Sequence, residues 1–221
     1  MITNKPYIEH FPGKSSNIYS EYIESHKYDK FNKPNNLSII SVITPECLNS
    51  SCLNIQCENS NVDIINPLND RFVKWNRYDK PKYILEGLIQ STTDYSLVLD
   101  GNDVLITQDL YNIIEDFKTF DCDILYNSTC YNYPKIILDD IDKSSMGKYR
   151  YLNAGVCIGK TDRLIEFYLM VKHCIDEDFH HYDSEQYYIK KVFGKIIDRD
   201  DININIKYDY ENLLFKCMHN R

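Results

Sequence analysis

Short apolar runs alternate along this chain with stretches whose apolar residues recur every three or four positions, and that alternation predicts strands and helices in turn. Leu37 to Thr44 is a β-branched apolar run ended by Pro45 and reads as the first core strand. Glu46 to Asn54 reads as a short helix, and Val62 to Ile65 as a second strand closed by Asn66 and Pro67. Strand, helix, strand at this spacing is a βαβ unit, which implies parallel strands with helices on their faces. Pro81 then opens a helix whose apolar face is Ile84, Leu85, Leu88 and Ile89. The central apolar run begins at Tyr95 and resumes at Val104 to Ile106. Gln108 to Phe120 carries Leu110, Ile113, Ile114 and Phe117 at helical spacing, and Asp123 to Tyr126 is another short strand. Tyr151 to Lys160 is a strand, followed by a long helix with Thr161 as N-cap and Leu164, Phe167, Tyr168 and Val171 as its core face. A further helix runs from Asp183 through Phe193, Ile202 to Ile206 reads as a strand, and Tyr208 to Phe215 as an edge element. The fold class is therefore α/β, with a parallel sheet flanked by helices.

Residues 1–36 break this rhythm. They are polar, punctuated by Pro6, Pro12, Gly13 and Pro34, and amphipathic only from Asn17 to Lys27, so they read as an N-terminal arm or cap on a domain spanning 37–221. A hydrophobic content of 43% over 221 residues is enough for a full core. The formal charge of −8 argues against a general nucleic-acid binder, whose affinity comes from Lys and Arg replacing counterions. The N-terminus lacks an apolar signal core and no window approaches ~18 uninterrupted apolar residues, which predicts a soluble, cytoplasmic chain without membrane insertion. In that setting the eight cysteines read as reduced, mostly buried thiols. Cys47, Cys52 and Cys57 are evenly spaced, but not in a zinc pattern and with no nearby histidine to complete a site.

Candidate chemistry gathers where the central run ends. Leu97-Val98-Leu99 meets Asp100 and Asp103, with Gly101 and Asn102 between them. A buried strand needs no acid at its tip for packing, so these carboxylates must be solvated, hydrogen-bonded or neutralised by a cation. Asp-Gly-Asn-Asp is also ordinary turn chemistry, and spacing alone leaves both readings open. Residues 66–79 carry Arg71, Lys74, Trp75, Arg77 and Tyr78 on a loop after a strand, where α/β sheets bind ligands. Such a loop could stack on a base and hold a phosphate, or could be a surface loop anchored by a buried tryptophan. The irregular stretch from Asn127 to Arg150 reads equally as an acceptor-binding segment or as a merely mobile loop. Asn153 places a side-chain amide where a sugar or phosphate could meet it, and Gly155 and Gly159 allow close approach. Asp183 with Gln186 resembles a capping box, and the same acidic patch could equally supply a catalytic carboxylate.

Four segments, in register over roughly residues 37 to 217, resemble the glycosyltransferase domain of procollagen lysyl hydroxylases and their collagen glycosyltransferase relatives. Leu97-Val-Leu-Asp-Gly-Asn-Asp-Val-Leu-Ile resembles the family's F-x-D-x-x-D-V segment, and Tyr151-Leu-Asn-Ala-Gly-Val-Cys-Ile-Gly resembles YLNSGGFIG. Asp183-Ser-Glu-Gln-Tyr-Tyr is similar to DDDQLFY, and Ile206-Lys-Tyr-Asp-Tyr-Glu-Asn-Leu-Leu-Phe to LDHKSRIFQNL. The resemblance implies an α/β fold of GT-A (Rossmann-like) type, with a mixed, mostly parallel central sheet flanked by helices, that binds a UDP-sugar donor through Mn²⁺. Asp100 and Asp103 would be metal ligands, and Thr44 would lie beside the nucleotide. Lys74 and Trp75 match family residues of the donor loop, Asn153 and Gly155 would lie near the sugar, and Asp183 and Glu185 would be the carboxylates facing the donor sugar or acceptor. The family's third metal ligand is a histidine in a short HGNG-like tail. Here the tail reads Met218-His219-Asn220-Arg221, so His219 is the candidate, at compressed spacing. The implied activity is transfer of glucose or galactose to a hydroxyl acceptor, hydroxylysine of a collagen-like protein being the one suggested. A transferase acting on another glycan, or a catalytically weak nucleotide-sugar-binding module, are the alternatives. Oligomeric state does not follow from the sequence.

Overall fold

The computed structural model describes residues 5–13, 15–69, 71–135, 147–180, 182–197 and 202–218. Two sheets organise them. The larger has the order β3 (Ile64–Ile65), β2 (Leu37–Ser41), β4 (Tyr95–Leu99), β7 (Tyr151–Lys160), β6 (Ile124–Thr129) and β8 (Ile206–Tyr208). Pairings β3–β2, β2–β4 and β6–β8 are parallel, and β7 runs antiparallel to both β4 and β6. This is the mixed, parallel-rich sheet that the resemblance implies, with β7 the antiparallel strand that the apolar runs do not reveal. The smaller sheet has the order β5 (Val104–Ile106), β1 (Ile8–His10) and β9 (Phe215–Cys217).

Both faces of the large sheet are buried, which is why its strands read as nearly continuous apolar runs. Ile40 and Val98 face a core that includes Ile84 and Leu88 of α4 (Lys80–Gln90), Phe167 and Val171 of α6 (Thr161–Asp176) and Ile189 of α7 (Glu185–Ile197). Ile39, Leu97 and Leu99 face the opposite core, with Leu53 of α3 (Cys52–Ser60), Phe117 of α5 (Ile113–Lys118), Ile8 and Phe215. The N-terminal segment adds two short helices, α1 (Ser15–Ile18) and α2 (Ser20–His26), and lays β1 between β5 and β9.

Several element boundaries differ from the sequence reading for local reasons. In place of a helix over 46–54, Pro45–Ser50 forms a 3₁₀ turn, and extended Ser51 interrupts it and caps α3, accepting the Asn54 N–H at 3.1 Å. Ile89 is 63% exposed, because one step past Leu88 turns it off the buried stripe of α4. The helix predicted over 108–120 shortens to α5, with Leu110 packed ahead of it. Thr161 does not cap α6: Lys160 holds the N-cap place, and the Thr161 hydroxyl pairs with Ser96 Oγ at 2.8 Å. The capping box at Asp183 does not form, since α7 begins at Glu185 and Gln186 Oε1 accepts the Ala154 N–H at 2.9 Å instead. The late strand is Ile206–Tyr208, and the chain then turns to supply β9.

Burial also governs the thiols. Cys57 and Cys157 are pushed up to about 12 by desolvation, so both are protonated and unreactive at neutral pH. Iodoacetamide labelling of the native protein at pH 8 should leave both unmodified, and labelling in denaturant should modify both; peptide mass mapping reads the difference.

Candidate functional site

The carboxyl ends of β2, β4 and β6 open into a cleft of about 700 Å³. This is the place where open α/β sheets bind ligands, and the volume is that of a small-molecule site. Val42, Asp100 and Thr129 line it from the ends of those three strands, and Asn153 and Gly155 line it from β7. Lys80 enters from the start of α4, Ser184, Glu185 and Gln186 from the start of α7, and His10, Pro12 and Gly13 from the N-terminal segment.

At the floor three groups converge. His10 Nε2 lies 3.5 Å from Asp100 Oδ2 and 3.6 Å from Asp103 Oδ2, and one ligand atom from each residue falls within 4.8 Å of the others. Among the described residues, neither ring nitrogen of His10 has a hydrogen-bond partner, although the side chain is only 3% exposed. A buried imidazole without a hydrogen bond is costly unless something meets its lone pair or proton, and the two carboxylates stand at ion-pair rather than hydrogen-bond distance. Two carboxylate oxygens and one imidazole nitrogen form the donor set of a divalent metal of Mn, Fe, Co or Zn type. The residues present therefore fit a bound cation.

The other oxygen of Asp100 is engaged separately. Lys80 Nζ bonds Asp100 Oδ1 and lies 3.4 Å from Glu185 Oε1. Burial opposes charge on all these groups, and their mutual attraction outweighs it. Asp100 is held far below the usual carboxylate range by Lys80 and His10, against its desolvation. Lys80 is raised by Asp100 and Glu185 despite burial, and His10 is raised by Asp103 and Asp100 despite burial. The division of labour is geometric: Asp100 Oδ2 faces His10, and Oδ1 faces the ammonium.

Gly155 makes the floor possible. A Cβ there would lie 2.7 Å from His10 Nε2 and 2.8 Å from Asp100 Oδ2. Asn153, 7% exposed, accepts the Gly155 N–H on its Oδ1 at 3.1 Å. At the mouth, Trp75 stacks on Tyr83 with centroids 6.5 Å apart and planes 17° from parallel, while Tyr131 and Tyr133 line the cleft and remain exposed.

The structure thus gathers Asp100, Asp103, Trp75, Asn153, Gly155 and Glu185 around one cleft. Thr44, Lys74 and Asp183 are outside its lining: Thr44 starts the 3₁₀ turn two residues beyond Val42, and Lys74 and Asp183 are exposed. Asp183 lies ahead of α7 and is exposed, whereas Glu185, the first residue of α7, lines the cleft. His219 lies outside the described residues. Two lining residues went unread in the sequence, His10 and Lys80. The only trace of His10 was a histidine inside the short apolar patch Tyr7-Ile8-Glu9-His10-Phe11, and Lys80 was masked as the residue before the helix-opening Pro81.

A family model described as PLOD GT domain matches residues 82–221 of this chain. The procollagen-lysine,2-oxoglutarate 5-dioxygenase of Drosophila melanogaster is 29% identical over 124 residues, covering 56% of this chain and 16% of that protein. The chain thus spans about a sixth of that relative's length. Among solved structures, the glycosyltransferase GlyE of Streptococcus pneumoniae TIGR4 aligns over 96% of this chain and 44% of its own, with a TM-score of 0.36 and 13% identity. The galactosyltransferase LgtC, in complex with donor and acceptor sugar analogs, aligns over 86% and 67%, with a TM-score of 0.41 and 16% identity. His10, Trp75 and Lys80 all precede the segment matched by the family model.

Proposed function

Because this chain belongs to the PLOD GT domain family, we propose that it is a GT-A-type transferase moving glucose or galactose from a UDP-sugar to a hydroxyl acceptor. The observation that carries this reading is the convergence of His10, Asp100 and Asp103 at the floor of the strand-end cleft, with the imidazole nitrogens buried and without a hydrogen bond. His10 Nε2, Asp100 Oδ2 and Asp103 Oδ2 would hold a divalent cation, which we assign as Mn²⁺, and His10 rather than His219 would be its third protein ligand. Bound there, the cation supplies positive charge against the diphosphate leaving group.

The chain's own residues divide the remaining tasks. Lys80 keeps Asp100 ionised through Oδ1 and adds fixed positive charge beside the phosphates, in a site too buried for water to screen it well. Glu185, held 3.4 Å from Lys80, is the carboxylate that faces the reacting sugar and acceptor, and we retain it over Asp183 because it lines the cleft. Its charge can stabilise an oxocarbenium-like centre or take the acceptor hydroxyl proton. The Asn153 amide meets sugar hydroxyls, Trp75 offers an aromatic face to the base, and Arg77 offers charge at the mouth. Hydroxylysine of a collagen-like chain is the acceptor we favour. No helix among the described residues is long and apolar enough to cross a membrane.

The decisive experiment combines thermal melts with UDP, Mn²⁺ and both, and mass-spectrometric turnover of UDP-glucose and UDP-galactose against water, hydroxylysine peptides and simple glycans. A transferase gives synergy between UDP and Mn²⁺ together with acceptor-dependent release of UDP. Synergy without turnover identifies a nucleotide-sugar-binding module, and no response to UDP overturns the donor assignment. The same melts test the floor: Gly155→Ala should lose about 1–3 kcal/mol through overpacking and its stabilisation by Mn²⁺, whereas Gly147→Ala, where an added Cβ meets open space, should lose neither.

A further inference from the structure

We propose that Asp209, which lies outside the cleft lining, is the positioning residue that sets His10 in the cation site. This rests on the reading of His10, Asp100 and Asp103 as cation ligands.

The His10 ring makes no hydrogen bond among the described residues, and only the attraction of the Asp100 and Asp103 carboxylates at 3.5 and 3.6 Å adds to the backbone of β1 and the surrounding packing in fixing where it points. β1 in turn takes its register from β9, with Ile8 beside Phe215 and His10 beside Cys217. The Leu214 carbonyl accepts the N–H groups of Tyr7 at 2.8 Å and Ile8 at 3.2 Å, and the Met218 N–H donates to the His10 carbonyl at 2.7 Å. On its other edge β1 pairs with β5, His10 beside Val104, and the Phe11 N–H donates to the Asp103 carbonyl at 2.8 Å, so β5 and β9 together set where His10 lies and β9 supplies one of the two edges.

Besides the ladder with β1, a single carboxylate gathers the segment that leads into β9. Asp209 is 0% exposed and accepts three backbone N–H groups, from Leu213 on Oδ1 at 2.9 Å and from Leu214 and Phe215 on Oδ2 at 2.7 Å each. Asn212, at φ 54°, lets the chain turn back upon it. Burying a carboxylate for a surface turn alone would be wasteful, because a side-chain amide or hydroxyl caps turns without the desolvation cost of a charge. The charge-assisted bonds are short and directional, and they hold the strand that follows more tightly than neutral bonds would. Asp209 is itself fastened to the large sheet: its N–H donates to the Tyr126 carbonyl at 2.9 Å, and its carbonyl accepts the Ser128 hydroxyl at 2.6 Å. One residue thus ties the sheet that carries Asp100 to the sheet that carries His10. Without it, that tie between the sheets is lost, and the pairing of β1 with β5 is left to hold His10 beside Asp103.

The test is Mn²⁺ affinity of the full chain, read from the electron paramagnetic resonance signal of free Mn²⁺, for wild type, Asp209→Asn, His10→Ala and the double variant. In Asp209→Asn the amide oxygen can still serve Leu214 and Phe215, but the NH₂ group then opposes the Leu213 N–H. Partners behind a metal ligand typically account for 10–100-fold in affinity, so Asp209→Asn should weaken Mn²⁺ binding about tenfold or more. The double variant should bind no more weakly than His10→Ala alone, because Asp209 acts only through that side chain. Unchanged affinity in Asp209→Asn, or losses that simply add in the double variant, overturns the proposal. Ser128→Ala, which loosens the same anchor without touching the carboxylate, decides the matter if Asp209→Asn does not fold: a smaller loss that vanishes in the His10→Ala background supports the proposal, and unchanged affinity overturns it. A wild-type chain that binds no Mn²⁺ removes the cation site itself, and the wild-type measurement separates that result from a failure confined to Asp209.

Discussion

His10→Ala is expected to cut hexose transfer about 10²–10³-fold and to weaken Mn²⁺ binding in parallel. A bound metal contributes several kcal/mol to stabilising a developing charge, and about 1.4 kcal/mol corresponds to each tenfold in rate. His10 supplies one of the three ligand atoms that converge within 4.8 Å, so its removal leaves two carboxylates to hold the ion alone. The fold should survive, because the backbone bonds between β1 and its neighbours do not involve the imidazole. The matching control is His219→Ala. Loss of activity in His10→Ala with His219→Ala unaffected assigns the third ligand to the N-terminal strand; the reverse pattern returns it to the tail.

Lys80→Met should be the most destabilising single substitution in the cleft. Lys80 is 8% exposed and compensates Asp100 and Glu185 together, and methionine fills similar space without the charge. Breaking a buried ion pair from one side costs about 3–5 kcal/mol, because the remaining charge stays buried and unpaired. Asp100 keeps His10 on its second oxygen, which places the expected loss near the lower end, ~3 kcal/mol, or roughly 6–12 °C in Tm for a chain of this size. Saturating Mn²⁺ should raise the Tm of Lys80→Met by more than it raises that of wild type, since the ion then supplies charge that the ammonium no longer provides. Melting curves with and without Mn²⁺ measure both effects. A drop below 1 kcal/mol, or an equal response to Mn²⁺ in the two proteins, would mean that solvent rather than Lys80 neutralises Asp100.

The main sheet was legible because two-sided burial leaves a local trace. β2, β4 and β7 must be apolar at nearly every position, and α4 and α6 must repeat their buried residues at helical spacing, so each announces itself within about ten residues. Local caps were less legible: Ser51, Thr161 and Asp183 all have cap chemistry, but only Ser51 spends it on the helix, because neighbouring elements claim the Thr161 hydroxyl and the Gln186 side chain. The basic loop at 66–79 illustrates a third case. Trp75 and Arg77 reach the cleft, whereas Arg71 pairs with Glu86 at 2.5 Å and Lys74 faces away, a partition that composition cannot express.

By itself the sequence determined the α/β alternation, the strand end at Asp100 and Asp103, and the family to which the chain belongs, because each is written in consecutive residues. The tertiary structure alone decided that His10 meets that carboxylate pair, that Lys80 is its counter-ion, and that Glu185 rather than Asp183 lines the cleft. The reason is physical. β1 is only three residues long and carries no periodicity of its own; it exists because β5 and β9, about a hundred and two hundred residues further along the chain, offer it hydrogen bonds on both edges. A buried charge is likewise intelligible only beside the partners that make its burial tolerable.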